Sequence, residues 1–97
     1  MKKILVIGAG RSASSLIKYL LDKSEEEKLE VRVADITIEN AKKLLQDHPN
    51  GVAIALDIFN IEERKNEIEH SDIVISMLPV RFHMEVAKDC VEFGKNL

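Results

Sequence analysis

Four short apolar runs alternate with four amphipathic stretches along the chain. The runs cover residues 4–7, 31–34, 52–56 and 73–75. They are continuous and rich in β-branched residues, which is typical of strands that helices cover on both faces. The alternation therefore predicts the order β-α-β-α-β-α-β-α and a doubly wound α/β domain with a parallel sheet.

The first two amphipathic stretches have clear helical spacing. The second begins after a cap at Thr37 and stops before Pro49, where a turn signal follows. In the first, apolar residues three and four positions apart form one stripe. Its members are Ala13, Leu16, Ile17, Leu20 and Leu21.

The last two helices are predicted from their ends as much as from their spacing. Asn60 suits the N-cap of the third helix, and we expect its charged body to face solvent while Ile61 and Ile68 hold it to the core. The fourth ends at Gly94, a suitable C-cap. Its apolar stripe comprises Phe82, Val86, Ala87, Cys90, Val91 and Phe93.

Length and composition indicate one folded unit. The chain has 97 residues, of which 45% are hydrophobic, so residues 1–97 suit a single domain. A Rossmann arrangement would give the strand order 3-2-1-4. The chain would then end where a fifth strand is expected. We interpret it as the N-terminal fragment of a dinucleotide-binding domain, truncated before strand five and without its substrate domain.

Charge, apolar runs and cysteine content indicate which partners and which location to expect. The net charge of -3 comes without a basic cluster, which argues against nucleic acid. No apolar run approaches the roughly 20 residues that span a bilayer, so we expect no membrane contact. The single Cys90 fits a reducing, cytoplasmic location. An unpaired edge on strand four would favour a homo-oligomer.

A glycine-rich turn between the first strand and the first helix carries the clearest chemical signal. Residues 8–13 read G-x-G-x-x-A, the dinucleotide fingerprint with alanine in the third place. Gly8 permits the tight turn, Gly10 lets a diphosphate approach the main chain, and Ala13 brings the helix close to the sheet. With Arg11 and Ser12, these residues form the predicted phosphate site at a helix start.

Asp35 ends the second strand, at about the spacing of the acid that binds ribose hydroxyls. A carboxylate there would repel a 2'-phosphate, so the sequence favours NAD over NADP. The alternative is that Asp35 only begins the turn into the helix capped by Thr37. Arg11 could stack on adenine, pair with the diphosphate or bind a 2'-phosphate. Asp35 and the apolar Ile36 argue against the last.

The ends of strands three and four face the same crevice. Asp57 and Ile58 could flank the adenine, whereas Met77, Leu78 and Pro79 lie beneath the path to the nicotinamide. Alternatively, Asp57 only caps a turn and Leu78 only packs. No nucleophile and base pair or metal-ligand spacing stands out, so we assign no catalytic residue and no metal.

Taken together, these motifs resemble the amino-terminal region of saccharopine dehydrogenases. The matching stretches are ILVIGAGRSA, VRVADIT, ALDI and DIVISMLPVRFH. The resemblance implies an oxidoreductase of lysine metabolism that oxidises the secondary amine of saccharopine, giving glutamate and 2-aminoadipate 6-semialdehyde. Members that prefer NADP tend to carry arginine at the position of Ile36, so this departure also points to NAD.

The sequence leaves two alternatives to this function open. Carboxynorspermidine dehydrogenases share the architecture and compete for the substrate assignment. An NAD-sensing regulatory domain, such as those of potassium-transport systems, would share the fingerprint and the acid of strand two. The resemblance places the substrate-binding groups beyond Leu97, so we expect residues 1–97 alone to be inactive.

Overall fold

The computed structural model describes residues 1–10, 13–78 and 80–95, and gives only the backbone of residues 80, 81 and 83. Arg11, Ser12 and Pro79, which the sequence assigned to the nucleotide site, therefore lie outside the described residues.

Strands and helices alternate along the described chain. The strands are β1 (Lys2–Ile7), β2 (Leu29–Asp35), β3 (Gly51–Ala55) and β4 (Ile73–Ser76), and the helices are α1 (Ser14–Glu27), α2 (Ile38–Leu45), α3 (Ile61–Glu69) and α4 (Val80–Phe93). All strand pairs are parallel, and the sheet order is β3-β2-β1-β4. The predicted Rossmann-like doubly wound fold and its strand order 3-2-1-4 are confirmed.

The central strand β1 divides the core into two layers because successive side chains point to opposite faces of a sheet. Ile4 and Val6 lie in a buried cluster with residues of α1 and α2, whereas Leu5 and Ile7 lie in a second cluster with residues of α3 and α4. Helices thus cover both faces. Both layers bury β1, which explains its continuous apolar sequence.

The register brings the carboxyl ends of the strands to one edge. Ile7 of β1 pairs with Ala34 of β2 on one side and with Ser76 of β4 on the other. Asp35 pairs with Ala55 at the end of β3. The loops that follow all four strands therefore leave the sheet at this level, which we call the carboxyl edge.

The helix ends follow the expected capping chemistry in two cases and depart from it in a third. The Oδ1 atom of Asn60 accepts the N–H of Glu63 at 3.2 Å, as expected for an N-cap. Gly94, with φ of 65°, follows the end of α4. Thr37 precedes α2 but makes no side-chain capping bond.

The outer face of α3 differs from the prediction. Ile68 is fully buried, but Ile61 is 57% exposed, and Arg64 from the charged run is only 5% exposed. Arg64 enters the space between α3 and α4 because its Nε donates to Oδ2 of Asp89 on α4 at 2.6 Å. The prediction was wrong for Ile61 and for Arg64, since a partner on another helix neutralises the buried guanidinium.

The apolar stripe of α4 is narrower than predicted. Val86 and Cys90 are buried, but Val91 is exposed. Burial, reinforced by the negative charge of Asp89, raises the pKa of the Cys90 thiol. The thiol therefore stays protonated at neutral pH and acts as a small core residue.

Replacing Ile68 with alanine tests how α3 is attached to the sheet. Ile68→Ala should lower the free energy of unfolding by about 2 to 5 kcal/mol, because it leaves a cavity in the second cluster. The matched variant Ile61→Ala, in the same helix, should change it by less than about 0.5 kcal/mol. Urea denaturation measures both values, and similar losses in the two variants would contradict the described packing.

Candidate functional site

The turn after β1 begins with a glycine that its conformation requires. Gly8 has φ of 101°, in the region that side chains strongly disfavour, and a Cβ added there would meet the main-chain carbonyl of Met77 at 3.4 Å. The N–H of Gly8 donates to the carbonyl of Ala34 at 2.8 Å. Gly8 therefore lets the chain leave the sheet between the ends of β2 and β4.

The same turn leaves open space over the start of α1. Gly10 is exposed, and among the described residues other than its chain neighbours no atom lies within 4 Å of where its Cβ would be. Its carbonyl accepts the N–H of Ala13 at 3.0 Å, and the buried Ala13 packs the helix against the sheet. Ala13 has no side-chain oxygen to cap the helix, and the positive end of the α1 dipole would favour an anion placed over Gly10.

Asp35 connects the turn after β1 to the turn after β2. Its Oδ1 accepts the N–H of Ala9 at 3.1 Å. Its Oδ2 accepts the N–H of Thr37 at 3.0 Å and the side-chain amide of Asn40 at 3.2 Å. The carboxylate therefore fixes the glycine-rich turn and, in place of the Thr37 side chain, organises the start of α2.

These bonds change what Asp35 can do for a ligand. A carboxylate offers about four lone-pair positions, and three protein donors already use three of them. Two hydrogen bonds to ribose hydroxyls would require at least one donor to be displaced. The geometry thus matches the alternative in which Asp35 begins the turn into α2.

A mainly apolar pocket of about 240 Å³ lies beside Asp35 at the carboxyl edge. It brings together six of the residues that the sequence assigned to the site, namely Gly8, Asp35, Ile36, Asp57, Ile58 and Leu78. Ile36, which is 71% exposed, forms part of the rim. Gly10 and Met77 do not line it: Gly10 lies over the helix start, and Met77 packs beneath Gly8.

Two aromatic residues that were not predicted from the sequence as site residues complete the pocket. Phe59 follows Ile58 in the turn after β3, and Phe82 belongs to the first turns of α4. Their rings meet edge to face, with centroids 5.1 Å apart and an angle of 86°. The adjacency of Phe59 to Ile58 was a usable signal, whereas the helical stripe had placed Phe82 in the core.

The other predicted site residues have local structural roles as well. Oδ1 of Asp57 accepts the N–H of Phe59 at 2.9 Å, so Asp57 shapes the turn that ends in Asn60. Met77 donates its N–H to the carbonyl of Ile7 at 2.9 Å and so continues the pairing of β4 with β1. Both residues hold the loops of the carboxyl edge in place.

A larger concavity, of about 840 Å³, lies at the opposite end of the sheet. It is bordered by Lys2, Leu29 and Ile73, which lie at or near the amino ends of three strands. Ligands of open α/β sheets bind outside the carboxyl ends of the strands, near the point where the strand order reverses. The smaller pocket and the glycine-rich turn meet this condition, so they form the candidate site.

Two other kinds of feature are absent from the part of the chain that the structure describes. No group of three or more histidine, cysteine, aspartate or glutamate side chains there is arranged to hold a metal ion. None of its helices combines the length and apolar character needed to cross a membrane.

Comparison with known proteins gives one family. The family model for the saccharopine dehydrogenase NADP binding domain matches residues 4–97. Saccharopine dehydrogenase [NADP(+), L-glutamate-forming] of Schizosaccharomyces pombe is 30% identical over 97 residues, which cover 100% of this chain and 21% of the relative. The mitochondrial alpha-aminoadipic semialdehyde synthase of Mus musculus is 32% identical over 98 residues, or 99% of this chain and 10% of that protein.

A solved structure agrees with these matches. The apo saccharopine dehydrogenase (L-Glu forming) of Saccharomyces cerevisiae superimposes with a TM-score of 0.85 at 29% identity, covering 98% of this chain and 20% of that one. The chain thus spans about a fifth of the length of the saccharopine dehydrogenases it matches.

The predicted preference for NAD over NADP is wrong. The matching family model is an NADP binding domain, and the named fission-yeast relative uses NADP(+). The prediction depended on Asp35 acting as a ribose-binding acid and on the apolar Ile36. In the structure the Asp35 carboxylate is engaged by Ala9, Thr37 and Asn40, so its position at the end of β2 does not report cofactor choice.

Removing the Asp35 carboxylate should destabilise the free protein. Asp35→Ala leaves the main-chain N–H groups of Ala9 and Thr37 without their acceptor, which should lower the free energy of unfolding by about 1 to 3 kcal/mol. Asp22→Ala, at an exposed position of α1, serves as the matched control and should change it by less than about 0.5 kcal/mol. If chemical denaturation finds Asp35→Ala as stable as this control, Asp35 is not the connector described.

Proposed function

We propose that this chain, which belongs to the saccharopine dehydrogenase NADP binding domain family, holds NADP(H) at the carboxyl edge of its sheet for hydride transfer. Two features that lie side by side at that edge support this proposal. The open space over Gly10 suits a diphosphate, and the adjoining apolar pocket suits a nucleotide base. A dinucleotide needs both, at neighbouring positions.

The diphosphate is proposed to lie over Gly10, at the start of α1. In the described part of the chain no side chain beyond the neighbours of Gly10 reaches this space, and the glycine allows close approach to the main chain. The positive end of the helix dipole favours the negative charge there. The hydrogen bond from the Ala9 N–H to Oδ1 of Asp35 keeps the turn in the required shape before the ligand arrives.

The adenine is proposed to enter the pocket between Ile36 and the turn that carries Ile58 and Phe59. Apolar and aromatic walls favour a flat heteroaromatic base through burial and ring contacts. Phe59 is exposed and meets Phe82 only edge to face, so a face of its ring can contact a ligand.

The 2'-phosphate is proposed to lie beside Ile36 and Thr37, at the exposed turn after β2. The three N–H donors around Asp35 offset its negative charge in part, which reduces the repulsion expected from the sequence. Arg11 follows the second glycine in the sequence, and we propose that its guanidinium binds this phosphate.

For the whole enzyme we propose the reaction named for its relatives, oxidation of saccharopine with formation of glutamate. The bound cofactor would supply the acceptor for the hydride on the carbon next to the secondary amine. The amine nitrogen would lose its proton to solvent or a base, and water would hydrolyse the resulting imine to glutamate and 2-aminoadipate 6-semialdehyde. The cofactor supplies the hydride chemistry, and residues 1–97 bind and orient it. Substrate binding is proposed for parts of the enzyme outside these residues.

Cofactor choice is tested by titration. NADPH should bind with a Kd at least about tenfold lower than NADH, a difference of about 1.4 kcal/mol, because only NADPH carries the 2'-phosphate. The nicotinamide fluorescence of each reduced cofactor measures its binding at fixed, low ionic strength. Equal or tighter binding of NADH would contradict the proposed cofactor.

The diphosphate position is tested at Gly10. Gly10→Val should weaken NADPH binding at least about tenfold, because its side chain would fill the proposed phosphate space. It should change the free energy of unfolding by less than about 1 kcal/mol, since no atom of the described residues beyond its chain neighbours lies within 4 Å of that Cβ. The control Asn66→Val, at an exposed position of α3, should leave the Kd unchanged. A Gly10→Val protein with unaltered affinity would place the diphosphate elsewhere.

A further inference from the structure

We infer that Arg64 is a positioning residue for nucleotide binding, holding the turn after β3 and the start of α4 as the two walls of the base pocket. The inference rests on the proposed function, since it concerns the affinity of that same site. It gives a ligand-related role to the buried side chain of Arg64, a residue of the charged run that the sequence predicts on a solvated helix face.

Arg64 joins three parts of the molecule through one side chain. Its Nε donates to Oδ2 of Asp89 on α4 at 2.6 Å, and its Nη1 donates to the carbonyl of Ile58 at 2.9 Å. The Arg64 and Asp89 side chains are almost fully buried. The planar guanidinium directs these donors at fixed angles, which a lysine ammonium cannot do.

The carbonyl that Arg64 holds belongs to the wall of the base pocket. Ile58 lines the pocket, and the next residue is Phe59. Asp57 shapes the turn from within through the N–H of Phe59. The bond from Arg64 ties this turn to the space between α3 and α4 and so, together with the contact of Phe59 with Phe82, fixes the distance of Ile58 and Phe59 from α4.

The second wall comes from α4 itself. Phe82, near the start of α4, lines the pocket and contacts the ring of Phe59 edge to face. Asp89 lies about two turns further along the same helix and is held by Arg64. The ion pair thus fixes α4 against the turn, and the edge-to-face pair of rings forms where the two walls meet.

The Arg64–Asp89 ion pair is better suited to positioning the turn after β3 and α4 than to raising the stability of the protein. Burying two charges costs desolvation that their attraction repays only in part, and an apolar pair of similar volume is often equally stable. Glu85 also lies near Arg64, with its carboxylate 3.9 Å from Nη2, but its side chain is half exposed. The directed bond to the Ile58 carbonyl is what an apolar pair could not supply.

Two variants of the full chain distinguish the positioning of the pocket walls by Arg64 from its contribution to the stability of the fold. Arg64→Lys keeps a cation beside Asp89 but loses the second directed donor to Ile58. The double variant Arg64→Met with Asp89→Leu replaces the ion pair by apolar side chains and should unfold at a urea midpoint similar to that of the unaltered protein. Both should raise the Kd for NADPH at least about fivefold. Arg32→Lys, at the ion pairs with Glu30 and Glu67 on the surface of β2 and α3, is the matched control and should stay within twofold.

Competition by two fragments of the cofactor supplies the readout that a general loss of structure would not give. In Arg64→Lys, 2',5'-ADP, which carries the base, should compete at least about fivefold more weakly, while inorganic pyrophosphate should compete as in the unaltered protein. Equal weakening of both fragments, or unchanged affinity for 2',5'-ADP, would overturn the inference. If the double variant does not fold, the Arg64→Lys comparison decides alone. Absence of NADPH binding by the unaltered protein would contradict the proposed function itself, and the inference with it.

Discussion

The hydrogen bonds of the Asp35 carboxylate hold together the loops at the carboxyl edge of the sheet. The carboxylate accepts hydrogen bonds from Ala9, Thr37 and Asn40, and so connects the glycine-rich turn to the start of α2. Main-chain N–H groups need acceptors wherever the chain leaves regular structure. One side chain meets that need on two neighbouring loops. The turn over Gly10 can therefore stay open without collapsing onto the sheet.

The parallel register makes this local bond effective. Because β1, β2 and β4 end at the same level, the loops that follow them lie side by side, and a group at the end of one strand reaches the next loop. Arg64 acts in a comparable way on the other face. It connects the turn after β3 to α4, as Asp35 connects the turns after β1 and β2. Arg64 thus holds the turn after β3 and α4 on one face of the sheet, while Asp35 holds the turns after β1 and β2.

The fold was readable from the sequence, because burial on both faces imposes a continuous apolar run such as that of β1, and the small residues Gly8 and Ala13 mark a specific backbone path. The structure differs from the sequence-based prediction where a side chain binds a residue that is distant in the sequence. Arg64 looks like part of a solvated face, and only the packing of α4 shows that Asp89 neutralises it. Asp35 stands at the expected spacing, but spacing does not show which donors its oxygens accept. The same holds for Phe82, whose helical spacing places it on the apolar face of α4 but does not show that this face borders a pocket.

A crystal structure with bound NADP+ would show whether Asp35 organises the protein while main-chain groups near Gly10 receive the diphosphate. In that complex we expect the Ala9 N–H to remain bonded to Oδ1 of Asp35, with the diphosphate over Gly10 and the adenine against Phe59. This expectation would be contradicted by a complex in which the Asp35 carboxylate releases Ala9 and binds both ribose hydroxyls, or in which the space over Gly10 contains no phosphate.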